Sequence, residues 1–437
     1  MTASLIMASL STVCHHRHHR SVESAVTVLL LVLRHVDSTP TEQAAVDPTT
    51  VSTSTLWCPD VCDCYNNMET LDCSQRSLNV VPERLPQSAR RVYLEDNTIG
   101  QVDPEEFTRS RRVSQLVLDR NRLTSVDTTS FCVMTSLQEL SLSGNMIKSF
   151  QVSRRPGCVS ESLRQLDLSL NLLRTVPTNL SSFAPGLEVL DLSCNEITKA
   201  TLDSSFAQLR SLRHLDLSRN RIHFLSATDL RPLSYVPLDV LNLAETELAV
   251  IDDDALCSVS ASLKYLSLTG NPLDPESLAR ALTGYASTCQ NVTGKNRSNT
   301  PAPRGSKSVQ SVALPLTRLS IGEMSIGNLT RNMLGQFHHL MVLDAAFSDL
   351  EWVEPELFNH LTRLETLHLE AGRLTVVENL YAMKSLRRIY LQHNQLTQAV
   401  TLTGLYALVS IDLSYNRISH VPAFWLDGFR HLQVTNT

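Results

Sequence analysis

One eleven-residue pattern, L-x-x-L-x-L-x-x-N-x-L, recurs thirteen times along this chain and constrains its fold more than any other feature. The copies open at Ala89, Val113, Leu137, Leu163, Leu187, Leu212, Leu238 and Leu263, then at Leu316, Leu340, Leu364, Leu386 and Leu408. The first eight are spaced by about 25 residues. The clearest reads Leu212-Arg-His-Leu215-Asp-Leu217-Ser-Arg-Asn220-Arg-Ile222. A length of 437 residues suggests about three domains, but a period this regular argues for one stacked array instead.

The spacing dictates the local structure. The fourth and sixth motif positions lie two apart, so on a strand they share one face, and that face is apolar. With the first and eleventh positions, each coil buries roughly four aliphatic side chains, each worth about 1.5–3 kcal/mol. One coil cannot close a core, so coils must stack into a solenoid. At the ninth position the chain leaves the strand, and an asparagine there can satisfy backbone groups that a tight buried turn would orphan.

The motif resembles extracellular leucine-rich repeats of the roughly 24-residue type, over residues 58–437. Toll-like receptors, chaoptin- and connectin-type adhesion proteins and other leucine-rich-repeat ectodomains are similar. The trailing half of each repeat agrees, with Val126, Phe150, Leu225, Ile251 and Val353 at the fourteenth position and Phe107, Phe131 and Phe358 at the nineteenth. The resemblance implies an α/β horseshoe with a concave parallel sheet, a convex side of loops and short helices, and a disulfide N-terminal cap.

Residues 58–88 carry Cys58, Cys62, Cys64 and Cys73 in the spacing of such a cap. Spacing alone allows three connectivities; the resemblance implies Cys58–Cys64 and Cys62–Cys73. Cys132 and Cys158 each stand five residues before a motif start. Equivalent positions on adjacent coils are neighbours, which predicts a Cys132–Cys158 bond. Cys257 and Cys289 flank one irregular coil and form a weaker candidate pair. Cys194 has no evident mate and is expected to be a free thiol.

Residues 1–38 read as a leader, with a signal-peptide apolar stretch at 25–33 and candidate cleavage points near Ser38 or Ala45. His15, His16, His18 and His19 fall in that leader and are not read as a metal site. Residues 39–57 are a Thr/Ser/Pro-rich flexible stalk. Sequons stand at Asn179, Asn291, Asn296 and Asn328, which together with the cap point to a secreted protein or one on the outer face of the plasma membrane. Block one spans 89–289 with eight repeats. Residues 290–311, with Lys295, Arg297, Arg304 and Lys307 and no acidic residue, are expected to be a disordered basic insertion. Block two spans 312–437, with five repeats and the start of a fourteenth that breaks off at Thr437. No cysteine follows Cys289, so the cysteine-rich C-terminal cap of the family is not found in these residues. Truncation, a partner covering the edge, or a cap built from Phe424, Trp425 and Phe429 are the alternatives.

The ninth-position asparagine holds at 97, 121, 145, 171, 195, 220, 271, 394 and 416, and is replaced by Thr246, Met324, Ser348 and Gly372. Three consecutive losses predict a looser or differently curved region over about 316–374.

Function classes narrow quickly. A net charge of −6 gives no electrostatic case for nucleic acid. Mean hydropathy of −0.06 and no apolar run of 18 exclude a multi-spanning membrane protein. Membrane association would need an uncleaved leader or a C-terminal span. No nucleotide-binding, hydrolase or metalloprotease motif occurs, so no catalytic residue, metal or cofactor is assigned. The Asp and Ser side chains on the concave positions follow the family's generic L-D-L-S and are read as solvated strand faces. Departures from that pattern gather in block two: Met341, Val342, Ala346, Phe347, His368, Tyr390, His393, Val409 and Tyr415. Met341, Val342, Phe347, His368, Tyr390, His393 and Tyr415 form the candidate contact patch. Arg90, Arg91, Tyr93 and Arg120 form a weaker candidate near the cap. The reading is a non-enzymatic ectodomain of a recognition or adhesion receptor, binding a protein ligand or cell-surface protein, with a homophilic contact as one form of it. The alternative is a secreted matrix protein resembling small leucine-rich proteoglycans.

Overall fold

The computed structural model describes residues 57–294 and 314–435, apart from Arg154, Gly428, Arg430 and His431. The leader, the stalk up to residue 56, Asn296 and the insertion from residue 295 onward lie outside the described residues.

Among the described residues, sixteen short strands form one sheet from Asp63–Tyr65 to Gln433–Thr435. The first two strands, Asp63–Tyr65 and Thr70–Asp72, pair antiparallel within the cap, and every later pairing in this sheet is parallel. Register follows the motif. Leu190, Leu215 and Leu241 are direct partners across three strands and all are fully buried. This alignment stacks each coil's leucines on the next, so the core is a narrow rod renewed by every repeat.

The strands end after three residues because the eighth motif position adopts a left-handed backbone. Arg120, Leu170, Cys194, Arg219, Phe347, His393 and Tyr415 all have φ between 52° and 56°. Glycine takes the same position and conformation at Gly144 and Gly270. The ninth-position asparagine then clamps two coils. The Asn171 Nδ2 donates to Leu142 O of the preceding coil (3.0 Å) and to Leu168 O of its own (3.1 Å), while its Oδ1 accepts from Ile147 N of the preceding coil (3.0 Å). Asn121, Asn145, Asn195 and Asn220 repeat the arrangement.

The opposite wall carries the short helical turns that the resemblance implies, with strands of two or three residues, and one exception. The 53-residue step between Leu263 and Leu316 contains a 20-residue helix, Pro275–Gly294. Residues 290–294, expected to open a disordered insertion, are therefore helical. The cause is an apolar stripe at Leu278, Ala281, Leu282, Tyr285 and Cys289, all buried. Asp274 caps the start by accepting from Glu276 N and Ser277 N, Tyr285 stacks on Phe337 with ring centroids 5.8 Å apart, and Cys289 bonds to Cys257.

The remaining disulfides are Cys58–Cys64 and Cys62–Cys73 in the cap and Cys132–Cys158 between coils, the last with Cα atoms 4.7 Å apart. The expectation of a free Cys194 is corrected: no described cysteine is free, and Cys194 is disulfide-bonded. Spacing arguments detect only pairs at equivalent positions on adjacent coils, and no adjacent coil carries a cysteine at the eighth position.

Candidate functional site

Motif positions three, five and seven form the open floor of the concave sheet. In its middle Asp167, Asp191 and Asp216 are register partners on adjacent strands. Their carboxylates are engaged locally. Each accepts a hydrogen bond from the backbone N–H two residues on, at Ser169 (2.9 Å), Ser193 (2.9 Å) and Ser218 (2.8 Å). Asp216 also accepts from Asn242 Nδ2 (2.8 Å). Burial, and then the charges of Asp167 and Asp216, push the Asp191 carboxyl well above the usual carboxylate range. Burial lowers the neighbouring His214, with Asp216 opposing. These aspartates brace the turns out of the strands, which is why L-D-L-S recurs.

Block two differs. Its seven candidate residues fall on four parallel rows rather than on a single face. Met341 and Val342 occupy positions two and three at the entry to a strand, with Met341 exposed. His368 and Tyr390 are fifth-position register partners whose rings stack with centroids 4.5 Å apart and planes at 10°. Phe347, His393 and Tyr415 occupy the eighth position on the rim, where His393 and Tyr415 stack at 4.2 Å and 6°. Ala371 fills the rim position between Phe347 and His393. His368 is mostly covered and sits 3.2 Å from Glu370 Oε1, which holds its ring against that of Tyr390. Phe347 and Tyr415 present their rings to solvent. Burial raises the Asp344 carboxyl on the next strand, and its register partner His368 opposes that shift.

The second candidate is largely self-neutralised. Arg90 pairs with Glu69 (3.1 Å), Arg120 with Asp96 (2.6 Å), and the Tyr93 hydroxyl donates to Gln115 Oε1 (3.1 Å). A shallow groove of about 370 Å³ lies beside them, lined by Arg91, Ser114, Gln115, Gln138, Glu139, Arg164 and Gln165. Sequence reasoning missed it. Its only signal was the run of amide side chains at the second and third motif positions.

Two of the four sequons, Asn179 and Asn328, are exposed; Asn291 falls in the backbone of the long helix, and its side chain is outside the described set. No helix of the described residues is long and apolar enough to cross a membrane.

The family described as Leucine rich repeat matches residues 87–147, 161–222, 185–239 and 338–396. Mouse podocan-like protein 1 is 29% identical over 79% of this chain and 65% of its own length. Toll-like receptor 3 of Boselaphus tragocamelus is 26% identical over 80% of this chain and 38% of its own. The chain thus spans less than two thirds of these relatives. Among solved structures, a leucine-rich-repeat protein of Leptospira interrogans superposes with a TM-score of 0.54 at 22% identity, covering 80% of this chain and 72% of that one, which shows the fold.

Proposed function

Because the chain belongs to the extracellular leucine-rich-repeat proteins, we propose that it is a non-enzymatic binding module that takes a protein partner on the concave face and rim of block two. One observation carries this reading. The acidic row of block one spends its hydrogen bonds on its own turns, whereas block two places the aromatic rings of Phe347 and Tyr415 in water. Exposed aromatics clustered on a rigid sheet are the usual anchors of a protein interface.

The double change Phe347→Asp with Tyr390→Asp tests it. Against a panel of extracellular proteins that includes a second copy of this chain, the variant is expected to lose binding by at least about tenfold while keeping its circular dichroism. A partner held equally well by the variant would remove the reading.

A second reading, a secreted matrix protein, stands at least level with the receptor reading that the sequence favoured. The relatives extend from podocan-like protein 1 to a Toll-like receptor and give the receptor no preference. Co-sedimentation with fibrillar collagen supports the matrix reading; saturable binding to a cell-surface protein supports the other.

A further inference from the structure

On the wall opposite the concave sheet, Asn328–Leu329 pairs in parallel with Trp352–Val353, and Asn328 and Trp352 are direct register partners. Leu329 and Val353 point into the core and are 0% and 6% exposed. Alternation along a strand therefore sends Asn328 and Trp352 outward side by side, with backbones about 4.8 Å apart. Trp352 leaves 43% of its surface to water, and Val376, in the same position one coil further on, leaves 45%. Among the described residues the Asn328 side chain makes no hydrogen bond, and Asn328-Leu329-Thr330 is an acceptor sequon for N-linked carbohydrate. A second apolar pair stands on the same row of the wall in block one, Phe224 beside Val250, but no sequon adjoins it.

We propose that Asn328 carries an N-linked glycan whose first N-acetylglucosamine lies on the Trp352 indole and reaches toward Val376. The transfer uses a lipid-diphosphate-linked oligosaccharide of the secretory pathway. The Asn328 Nδ2 attacks sugar C1, the C1–N bond forms as the C1–O bond to the diphosphate breaks, and the amide nitrogen gives up one proton. An asparagine side chain carries the sugar about one inter-strand spacing from its own Cα, which is over the neighbouring strand. A pyranose offers a face of C–H groups, and laying it on an indole removes apolar area of both from water. The attached glycan closes this wall to macromolecular partners and leaves the concave face and rim open. The inference rests on the extracellular location alone, so it stands or falls independently of the block-two contact.

The test uses the full chain secreted from eukaryotic cells. Peptide mass should show carbohydrate on Asn328. Acrylamide quenching of tryptophan fluorescence should be unchanged when endoglycosidase trims the glycans to a single N-acetylglucosamine. It should rise in Asn328→Gln, which leaves the other sequons intact and removes no hydrogen bond. In a Trp352→Phe background the same Asn328→Gln change should leave quenching unaltered, because the indole that loses its cover is gone. An unmodified Asn328 overturns the proposal. So does an equal rise in quenching with and without Trp352.

Discussion

The coils between Ala89 and Leu273 and those between Leu316 and Leu374 share one sheet, one register and one leucine core, yet they are joined differently. In the first group nearly every junction carries an asparagine clamp, with a side-chain amide that reaches into two coils. At the single early exception, Thr246, the hydroxyl still donates to Leu243 O, and Asn271 Oδ1 accepts from Thr246 N and Leu248 N. In the second group Met324 and Gly372 supply nothing, and Ser348 reaches only its own coil, donating to Ala345 O. The strand ladder crosses the same junctions intact, through Ile321 N to Asp344 O and Ala345 N to His368 O. Stacking is thus set by the leucines and the ladder, while the rigidity of each turn is set by the clamp. The candidate contact patch begins where the clamps are missing.

The largest expected effect comes from imposing the second condition on the first region. Asn171→Ala would orphan the buried Ile147 N–H and remove the bonds to Leu142 O and Leu168 O. Leaving buried amide groups unpaired should cost about 3–5 kcal/mol in those coils. Because a solenoid unfolds locally, amide exchange at Ile147 is the measurement, not a single melting point. Exchange there no faster than in the parent would break the contrast. Next comes the covalent tie specific to the first region. Replacing both Cys132 and Cys158 with Ala should cost about 2–4 kcal/mol, read as earlier urea unfolding of the coils around residues 128–158, with the second block unaffected.

The reverse change is smaller. Ser348→Asn should restore the clamp, accepting from Ile326 N and donating back to the preceding coil, for a gain of about 1 kcal/mol and slower exchange at Ile326. Gly372→Asn should not repeat the gain. A Cβ at Gly372 would stand 2.9 Å from Asn394 Oδ1 and 3.2 Å from Leu350 O, so the neighbouring clamp fills the space. If both substitutions stabilise equally, the missing clamps are accidents of sequence rather than features of local geometry.

The sheet, the coil register and the facing positions of Cys132 and Cys158 were legible because a strand period of two and a repeat of about 25 leave one stacking solution. The long helix was not anticipated. Its stripe of Leu278, Ala281, Leu282 and Tyr285 runs for one element without repeating, inside a stretch marked mainly by its departure from the repeat. The bond at Cys194 escaped because no adjacent coil carries a cysteine at the matching position. In the candidate patch the residue types were readable, but their division into strand floor and rim was not. That division depends on the left-handed backbone of the eighth position, which leucine, glycine, arginine and phenylalanine all adopt here without a common side-chain signature.

The finest test concerns the floor of the sheet, where a buried aspartate has acidic neighbours in one region and a histidine in the other. Burial together with Asp167 and Asp216 raises the Asp191 carboxyl in the folded chain above its unfolded value. A raised acid holds more protons folded than unfolded, so its contribution is fully present below about pH 3.8 and is lost as pH climbs through the folded value. Asp191→Asn keeps an oxygen to accept from Ser193 N and abolishes that loss. Its stability should match the parent near pH 3.5 and exceed it increasingly toward neutrality. Asp344→Asn should gain less. Burial raises Asp344 as well, but His368 and Arg318 draw it down where Asp191 has only further carboxylates. Stability curves against pH that run parallel for parent and Asp191→Asn, or a larger gain at Asp344 than at Asp191, would show that the charges lining the floor do not distinguish the two regions.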